Sequence, residues 1–161
     1  MSARLNPFTA SPAGIKAALG LQNYVNNCGL EHSLKELVKM RASQINGCAF
    51  CLDMHSKDAR KAGESEARLY MLSAWRESSL YTARERAALA FTEALTVVSE
   101  AGVPDDVHIE LMQHFTEKEA VDLSIAIGII NVWNRVNVGF RVPHPVAAGD
   151  QGLRDENQRA A

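Results

Sequence analysis

Apolar side chains recur along this chain every three or four residues, which is the spacing of one face of an α-helix. The pattern returns in seven stretches, beginning at about residues 12, 33, 48, 65, 82, 104 and 116. No stretch alternates between β-branched and polar residues around a hairpin turn, so we expect no sheet. The sequence therefore predicts an all-α fold, a single-domain helical bundle of about six or seven helices.

Capping residues mark where several of these helices begin. Three pairs have the spacing of a capping box, in which each side chain binds the other residue's backbone N–H group: Ser33 with Glu36, Thr82 with Glu85, and Thr116 with Glu119. The last helix, to about Val138, is apolar nearly all round, which is typical of a core helix or a subunit contact. Beyond Phe140 the chain turns polar and rich in Pro and Gly. We therefore predict a helical domain over residues 1–140 and a polar tail over residues 141–161.

Charge and composition narrow the choice of partners. The net charge is −2, and no Lys/Arg-rich run is present, so we expect neither nucleic acid nor a membrane as a partner. No apolar stretch is long enough to cross a bilayer, and the N-terminus does not resemble a secretory signal, which favours a cytoplasmic protein. No Gly-rich phosphate loop follows a strand, so no flavin or nucleotide cofactor is expected.

The stretch NGCAFCLDMH, residues 46–55, carries the candidate chemistry. On a helix, Cys48, Cys51 and His55 share one face, and His55 lies one turn beyond Cys51. The N-terminus of a helix favours the thiolate form of cysteine. A thiolate beside a second thiol can attack a peroxide and then close a disulfide, or it can exchange with the disulfide of a partner.

Two other interpretations of these cysteines stay open at this point. A structural zinc site usually has four ligands, often in two Cys/His pairs, and the sequence offers a single C-x-x-C. Free cysteines also pack in cores as small apolar residues, which is how we interpret the isolated Cys28.

Glu36 lies in the helix before the Asn46-Gly47 break. If the two helices form an antiparallel hairpin, Glu36 faces His55 across a gap that one water molecule would fill. The three groups Glu36, His55 and Cys51 would then form a proton relay that ends at sulfur. The spacing alone favours a capping role with Ser33 instead. Three neighbouring charges are predicted to be solvated: Lys39, Arg41 and Asp53.

One spacing resembles the active-site pattern of alkylhydroperoxidase D (AhpD)-like proteins of the carboxymuconolactone decarboxylase family: Glu36-x11-Cys48-x2-Cys51-x3-His55. The segment NVWNR, residues 131–135, is similar to the C-terminal helix of many members. The resemblance covers about residues 12–140 and implies an AhpD-like bundle.

The resemblance also implies a role for each site residue. Cys51 would be the peroxidatic thiol, and Cys48 would resolve it into a disulfide. His55 and Glu36, bridged by water, would move the proton, which overrules the capping role of Glu36. Phe50 stands where some members carry a histidine, which puts activity or substrate range in question.

The implied activity is a thiol-dependent peroxidase of antioxidant defence, without a metal or organic cofactor. A lipoyl- or thioredoxin-like dithiol would reduce the disulfide, and the protein would form a homo-oligomer, a trimer or hexamer. The alternatives are a general thiol–disulfide oxidoreductase or redox sensor, a zinc-holding structural protein, and a lactone decarboxylase. The last is disfavoured because the true decarboxylases of the family lack the C-x-x-C.

Overall fold

Nine α-helices occupy residues 2–145, the part of the chain that this computed structural model describes. Together with a short 3-10 helix at Leu72–Ala74 they are α1 (Pro7–Ala10), α2 (Pro12–Asn27), α3 (His32–Ile45), α4 (Ala49–Lys61), α5 (Glu66–Met71), α6 (Ala83–Thr96), α7 (Val98–Ala101), α8 (Asp105–His114) and α9 (Glu117–Phe140). No strand occurs in that range, so the all-α prediction is confirmed. Most of the predicted polar tail, residues 146–161, lies outside the described residues, and the domain boundary at residue 140 stays a prediction.

Seven of the helices correspond to the seven apolar stretches. The other two, α1 and α7, have four residues each, which is too short to produce a helical repeat in the sequence. α1 is set by a local bond, because the Asn6 side chain accepts the backbone N–H of Phe8 at 2.9 Å.

α3 is the central helix and contacts α4, α6 and α9. Its apolar face joins residues from α6, α8 and α9 in the largest core cluster, which includes Leu34, Val38, Phe91, Leu123 and Ile127. α3 also buries charged side chains, which an outer helix would leave in water. These buried charges, described below, belong to the candidate site.

Two of the three predicted capping boxes are present, and one is wrong. Thr82 with Glu85 opens α6, and Thr116 with Glu119 opens α9, with both reciprocal bonds made in each. α3 begins earlier than predicted, at His32, and Ser33 caps nothing. The Glu36 carboxylate is therefore not used at the helix start and turns into the protein interior.

We expect Thr116→Ala to lower the free energy of unfolding by about 1 kcal/mol, the usual cost of losing an N-cap side chain. Urea denaturation measures this loss as a lower midpoint at unchanged slope. Ser11→Ala is the matched control, because Ser11 is the N-cap residue of α2 but makes no side-chain bond there. An equal loss of unfolding free energy in the two variants would contradict a specific role of the capping box at the start of α9.

Within residues 2–145, no helix combines the length and the apolar composition needed to cross a bilayer.

Candidate active site

The hairpin of α3 and α4 brings the two cysteines to a helix start. Gly47 adopts the left-handed conformation, with φ 63°, and so turns the chain between the helices. Cys48 is the N-cap residue of α4, and its sulfur accepts the backbone N–H of Cys51 at 3.4 Å. Cys51 is the third residue of α4 and therefore lies in the first turn of the helix, as predicted from the sequence.

Both sulfurs lie inside the protein rather than on its surface. Cys48 and Cys51 are each 1 % exposed and share an apolar cluster with Ala42 and Ile130. Phe50 and Trp133 pack against this cluster from outside. A reactive thiol here is shielded from bulk water, so the polar groups that do contact it have a large effect on its acidity.

Glu36 contacts His55 directly, not through water. Its Oε2 lies 2.8 Å from His55 Nδ1, so the predicted water-filled gap between the two side chains is absent. Lys39 donates its Nζ to the other carboxylate oxygen at 2.8 Å. All three side chains are buried, which corrects the prediction that Lys39 is solvated.

The carboxylate of Glu36 is held as an anion by these two partners. Burial by itself acts to raise its pKa, but the hydrogen bonds and charges of His55 and Lys39 outweigh burial and lower the pKa to about 2. The bond to Nδ1 also fixes the orientation of the imidazole and leaves Nε2 as its second proton-carrying atom.

The two thiols differ in acidity although they are neighbours. The hydrogen bond from Cys48, with the amides of Asn137 and Asn134 and the charge of His55, lowers the pKa of Cys51 to about 6 against the effect of burial. The same bond to Cys51, reinforced by burial, raises the pKa of Cys48. The arrangement therefore assigns the thiolate to Cys51 and the retained proton to Cys48.

Two asparagines of α9, Asn134 and Asn137, make hydrogen bonds next to the two cysteines. Asn137 donates its Nδ2 to Cys51 Sγ at 3.3 Å, and Asn134 donates to the Ser43 hydroxyl at 3.0 Å. Asn46, at the hairpin turn, donates to Asn134 at 2.9 Å. These contacts join the turn to α9, and the sequence analysis did not predict them.

We expect Asn137→Ala to raise the pKa of Cys51 from about 6 toward the ordinary 9.0 of a cysteine, because the thiolate loses its amide donor. The ultraviolet absorbance of the thiolate, followed against pH, measures the change. Asn23→Ala, which removes an exposed amide on α2, is the matched control. An unchanged titration in Asn137→Ala would show that the amide does not stabilise the thiolate.

Two clefts reach this site from different sides. The first has a volume of about 510 Å³ and is lined by Cys48 and Asn137, among others, so it ends next to the sulfurs. The second, of about 530 Å³, lies between the start of α3 and the end of α4, and Glu36 lines it. Solvent thus approaches the sulfur end through one cleft and the carboxylate end through the other.

The structure provides no support for the zinc interpretation in the part of the chain that it describes. Over residues 2–145, no group of three or more His, Cys, Asp or Glu side chains converges in a way that would hold a metal ion. Cys28 is half-buried at the end of α2, where its thiol bonds to the Val25 carbonyl, as expected for a packing residue.

Comparison with known sequences identifies the family. The model of the carboxymuconolactone decarboxylase family matches residues 12–94. The uncharacterized protein YdfG of Bacillus subtilis (strain 168) is 41% identical over 140 residues, which are 87% of this chain and 95% of YdfG.

Solved structures agree with this assignment. A protein of unknown function from Agrobacterium tumefaciens, suggested to be the antioxidant defence protein AhpD, is 50% identical with a TM-score of 0.89, over 91% of this chain and 100% of that one. The debrominase Bmp8 in its apo form is 25% identical with a TM-score of 0.77, over 92% of this chain and 79% of its own. With its helical hairpin and its Glu/Cys/Cys/His spacing, the chain belongs to the carboxymuconolactone decarboxylase family and is AhpD-like.

Proposed function

We propose that the protein is a thiol-dependent peroxidase that reduces hydroperoxides through Cys51 and Cys48. The observation that carries the proposal is the unequal acidity of the two neighbouring thiols. The Cys48 thiol and the Asn137 amide, which lies 3.3 Å from Cys51 Sγ, lower the pKa of Cys51 to about 6. The hydrogen bond to Cys51 and burial raise the pKa of Cys48. A cycle that passes through an intramolecular disulfide needs one nucleophilic sulfur and one resolving sulfur.

In the first step, the Cys51 thiolate attacks the outer oxygen of the hydroperoxide. A sulfur–oxygen bond forms and the oxygen–oxygen bond breaks, which leaves Cys51 as a sulfenic acid and releases an alkoxide. His55 supplies the proton that turns the alkoxide into an alcohol, and Glu36 stabilises the protonated imidazole. The proton is replaced from solvent through the cleft that Glu36 lines.

In the second step, the sulfur of Cys48 attacks the sulfenic acid of Cys51. The disulfide forms, and the hydroxyl group leaves as water with the proton that Cys48 gives up. A dithiol then reduces the disulfide and is itself oxidised to a disulfide. The sum is one hydroperoxide and one dithiol converted to an alcohol, water and an oxidised donor.

The first cleft gives the reactants their approach. Cys48 lines it, and so does Asn137, whose amide touches Cys51. A small hydroperoxide that contacts the Asn137 amide is close to the Cys51 sulfur, because this amide lies 3.3 Å from Cys51 Sγ. A larger dithiol meets Cys48 first, so we propose Cys48 as the sulfur that the reductant attacks. The dithiol donor and the homo-oligomer stay predictions.

The acidities of Cys48 and Cys51 are less suited to a general thiol–disulfide exchanger. In such enzymes the attacking thiol must be both accessible and ionised. Here Cys48 lines the cleft but has a raised pKa, while Cys51 has a lowered pKa but is not among the residues that line the cleft. A small peroxide reaches a recessed thiolate more easily than the disulfide of a folded partner does.

The test is peroxide consumption by the purified protein with excess dihydrolipoamide as the supplied dithiol. We expect catalytic consumption of hydrogen peroxide and cumene hydroperoxide, and one disulfide between Cys48 and Cys51 when the dithiol is withheld. Insulin reduction, bromide release from a bromopyrrole and turnover of a carboxymuconolactone are measured in parallel. Activity in any of these without peroxide turnover would overturn the proposal in favour of exchange, debromination or decarboxylation.

A further inference from the structure

The cleft beside Cys48 has a composition that a substrate as small as hydrogen peroxide does not require. One wall is the start of α4, with Ala49 and Phe50, and the other is the end of α9 and the segment after it. Its volume of about 510 Å³ is in the range of pockets that hold drug-sized organic molecules. Val138 and Val142 add to the apolar lining, so the body of a ligand here would be apolar.

The cleft carries one positively charged residue and no negatively charged one. Arg141 lines it together with His144, and none of its lining residues is an Asp or Glu. Among residues 2–145, no carboxylate forms an ion pair with the Arg141 guanidinium, although most other arginines in that range have such a partner. A cation at the edge of an apolar cleft is suited to a ligand with an apolar body and an anionic end.

The backbone supports this interpretation of Arg141. It ends α9 with φ 53° and ψ 49°, the left-handed conformation in which glycine is usual. Over residues 2–145 it is the one residue other than glycine with a positive φ. An arginine in a conformation that favours glycine lowers stability slightly, and such a cost indicates that the side chain has a function.

We propose that this cleft selects organic hydroperoxides that carry a carboxylate, with Arg141 binding the carboxylate while the peroxide group reaches Cys51. The inference rests on the proposed function, since it names the substrate class of the same site. Arg141 is a specificity residue here and takes no part in the chemical steps.

The test compares two hydroperoxides that differ in one group: cumene hydroperoxide and its para-carboxylate. We expect kcat/KM to be about fivefold higher for the carboxylate at low ionic strength, the size of effect that an exposed ion pair gives, and the preference to shrink as salt is added. Arg141→Gln and Arg141→Gly should both lose the preference, and Arg141→Lys should keep most of it. Glycine suits the backbone at this position, so Arg141→Gly separates loss of charge from loss of structure.

Lys16→Gln is the matched control for net charge, because Lys16 is exposed on α2. This variant should retain the preference. Equal use of the two hydroperoxides by the unmodified protein, or a preference that persists in Arg141→Gln and Arg141→Gly, would overturn the proposal.

A binding measurement separates failure of this inference from failure of the peroxidase assignment. The alcohols that correspond to the two hydroperoxides cannot be reduced, and calorimetry measures their binding without any turnover. Tighter binding of the carboxylate, lost in Arg141→Gly, supports the cleft assignment even if no hydroperoxide is consumed. Equal binding of the two alcohols overturns it even if both hydroperoxides are consumed.

Discussion

Replacing Cys51 by serine is expected to reduce peroxide consumption by at least about a thousandfold, the scale of losing a catalytic nucleophile. The hydroxyl group of serine is not ionised near neutral pH, so no anion remains to attack the oxygen–oxygen bond. The variant removes the hydrogen bond to Cys51 that contributes most to the raised pKa of Cys48, but burial still raises that pKa. The Asn137 amide is directed at residue 51, so we expect Cys48 not to take over. The rate of peroxide loss with excess dithiol measures the effect.

Cys48→Ser should behave differently and serves as the comparison. With the dithiol withheld, Cys51 can still react once, so we expect a single equivalent of peroxide to be consumed and a sulfenic acid to accumulate, detectable by dimedone labelling and mass spectrometry. Cys28→Ser is the control for thiol content, since Cys28 lies at the end of α2. Catalysis that survives in Cys51→Ser but not in Cys48→Ser would reverse the two roles.

Glu36→Gln is expected to lower both stability and activity. Lys39 and His55 are buried and share this carboxylate, so its loss leaves the Lys39 ammonium without a compensating charge. Removing one partner of a buried ion pair typically costs roughly 3–5 kcal/mol of unfolding free energy. The proton relay loses its anion as well, and we expect a drop of about 100-fold in kcat/KM, within the usual range for acid–base catalysis.

The double variant Glu36→Gln/Lys39→Met separates these two effects. Removing the ammonium also removes the unpaired charge, so much of the stability should return in urea denaturation. Activity should stay low, because His55 still lacks its carboxylate. If activity returned together with stability, Glu36 would serve only to hold the fold.

The helical pattern of the sequence was sufficient for the fold class and for seven of the helices. The boxes at Thr82 and Thr116 place two helix starts, because each pair of side chains satisfies backbone groups within a single turn. α1 and α7 were missed because four residues do not produce a repeat. The predicted Ser33 box is absent although its spacing to Glu36 is right, because spacing cannot show that the Glu36 side chain has a stronger partner in His55.

The candidate site was predictable where its residues share one helix and, for Glu36, where a short hairpin joins two helices. Cys48, Cys51 and His55 follow one face of α4, and their spacing is visible in the sequence. The burial of Lys39 depends on which helices surround α3, and nothing local encodes it. The sequence does contain one signal for the α9 contacts: Asn131, Asn134 and Asn137 recur every three residues in an apolar helix, where unpaired amides would be costly.

These buried polar contacts account for the difference between two thiols in one apolar cluster. Apolar surroundings alone would raise the pKa of both. The Cys48 thiol and the Asn137 amide direct their hydrogen-bond donors to Cys51 and lower its pKa. The hydrogen bond to Cys51 and burial raise the pKa of Cys48. The family spacing places the sulfurs, and in the proposed reaction the Asn137 amide from α9 helps to decide which of them attacks the peroxide.

The most direct test of this account is the pH titration of thiolate absorbance in the reduced protein, compared with that of Cys51→Ser. The account predicts a one-thiol transition near pH 6 that is missing from Cys51→Ser. A first transition near the ordinary 9.0, or one near pH 6 that persists in Cys51→Ser, would contradict the assignment of Cys51 as the activated nucleophile.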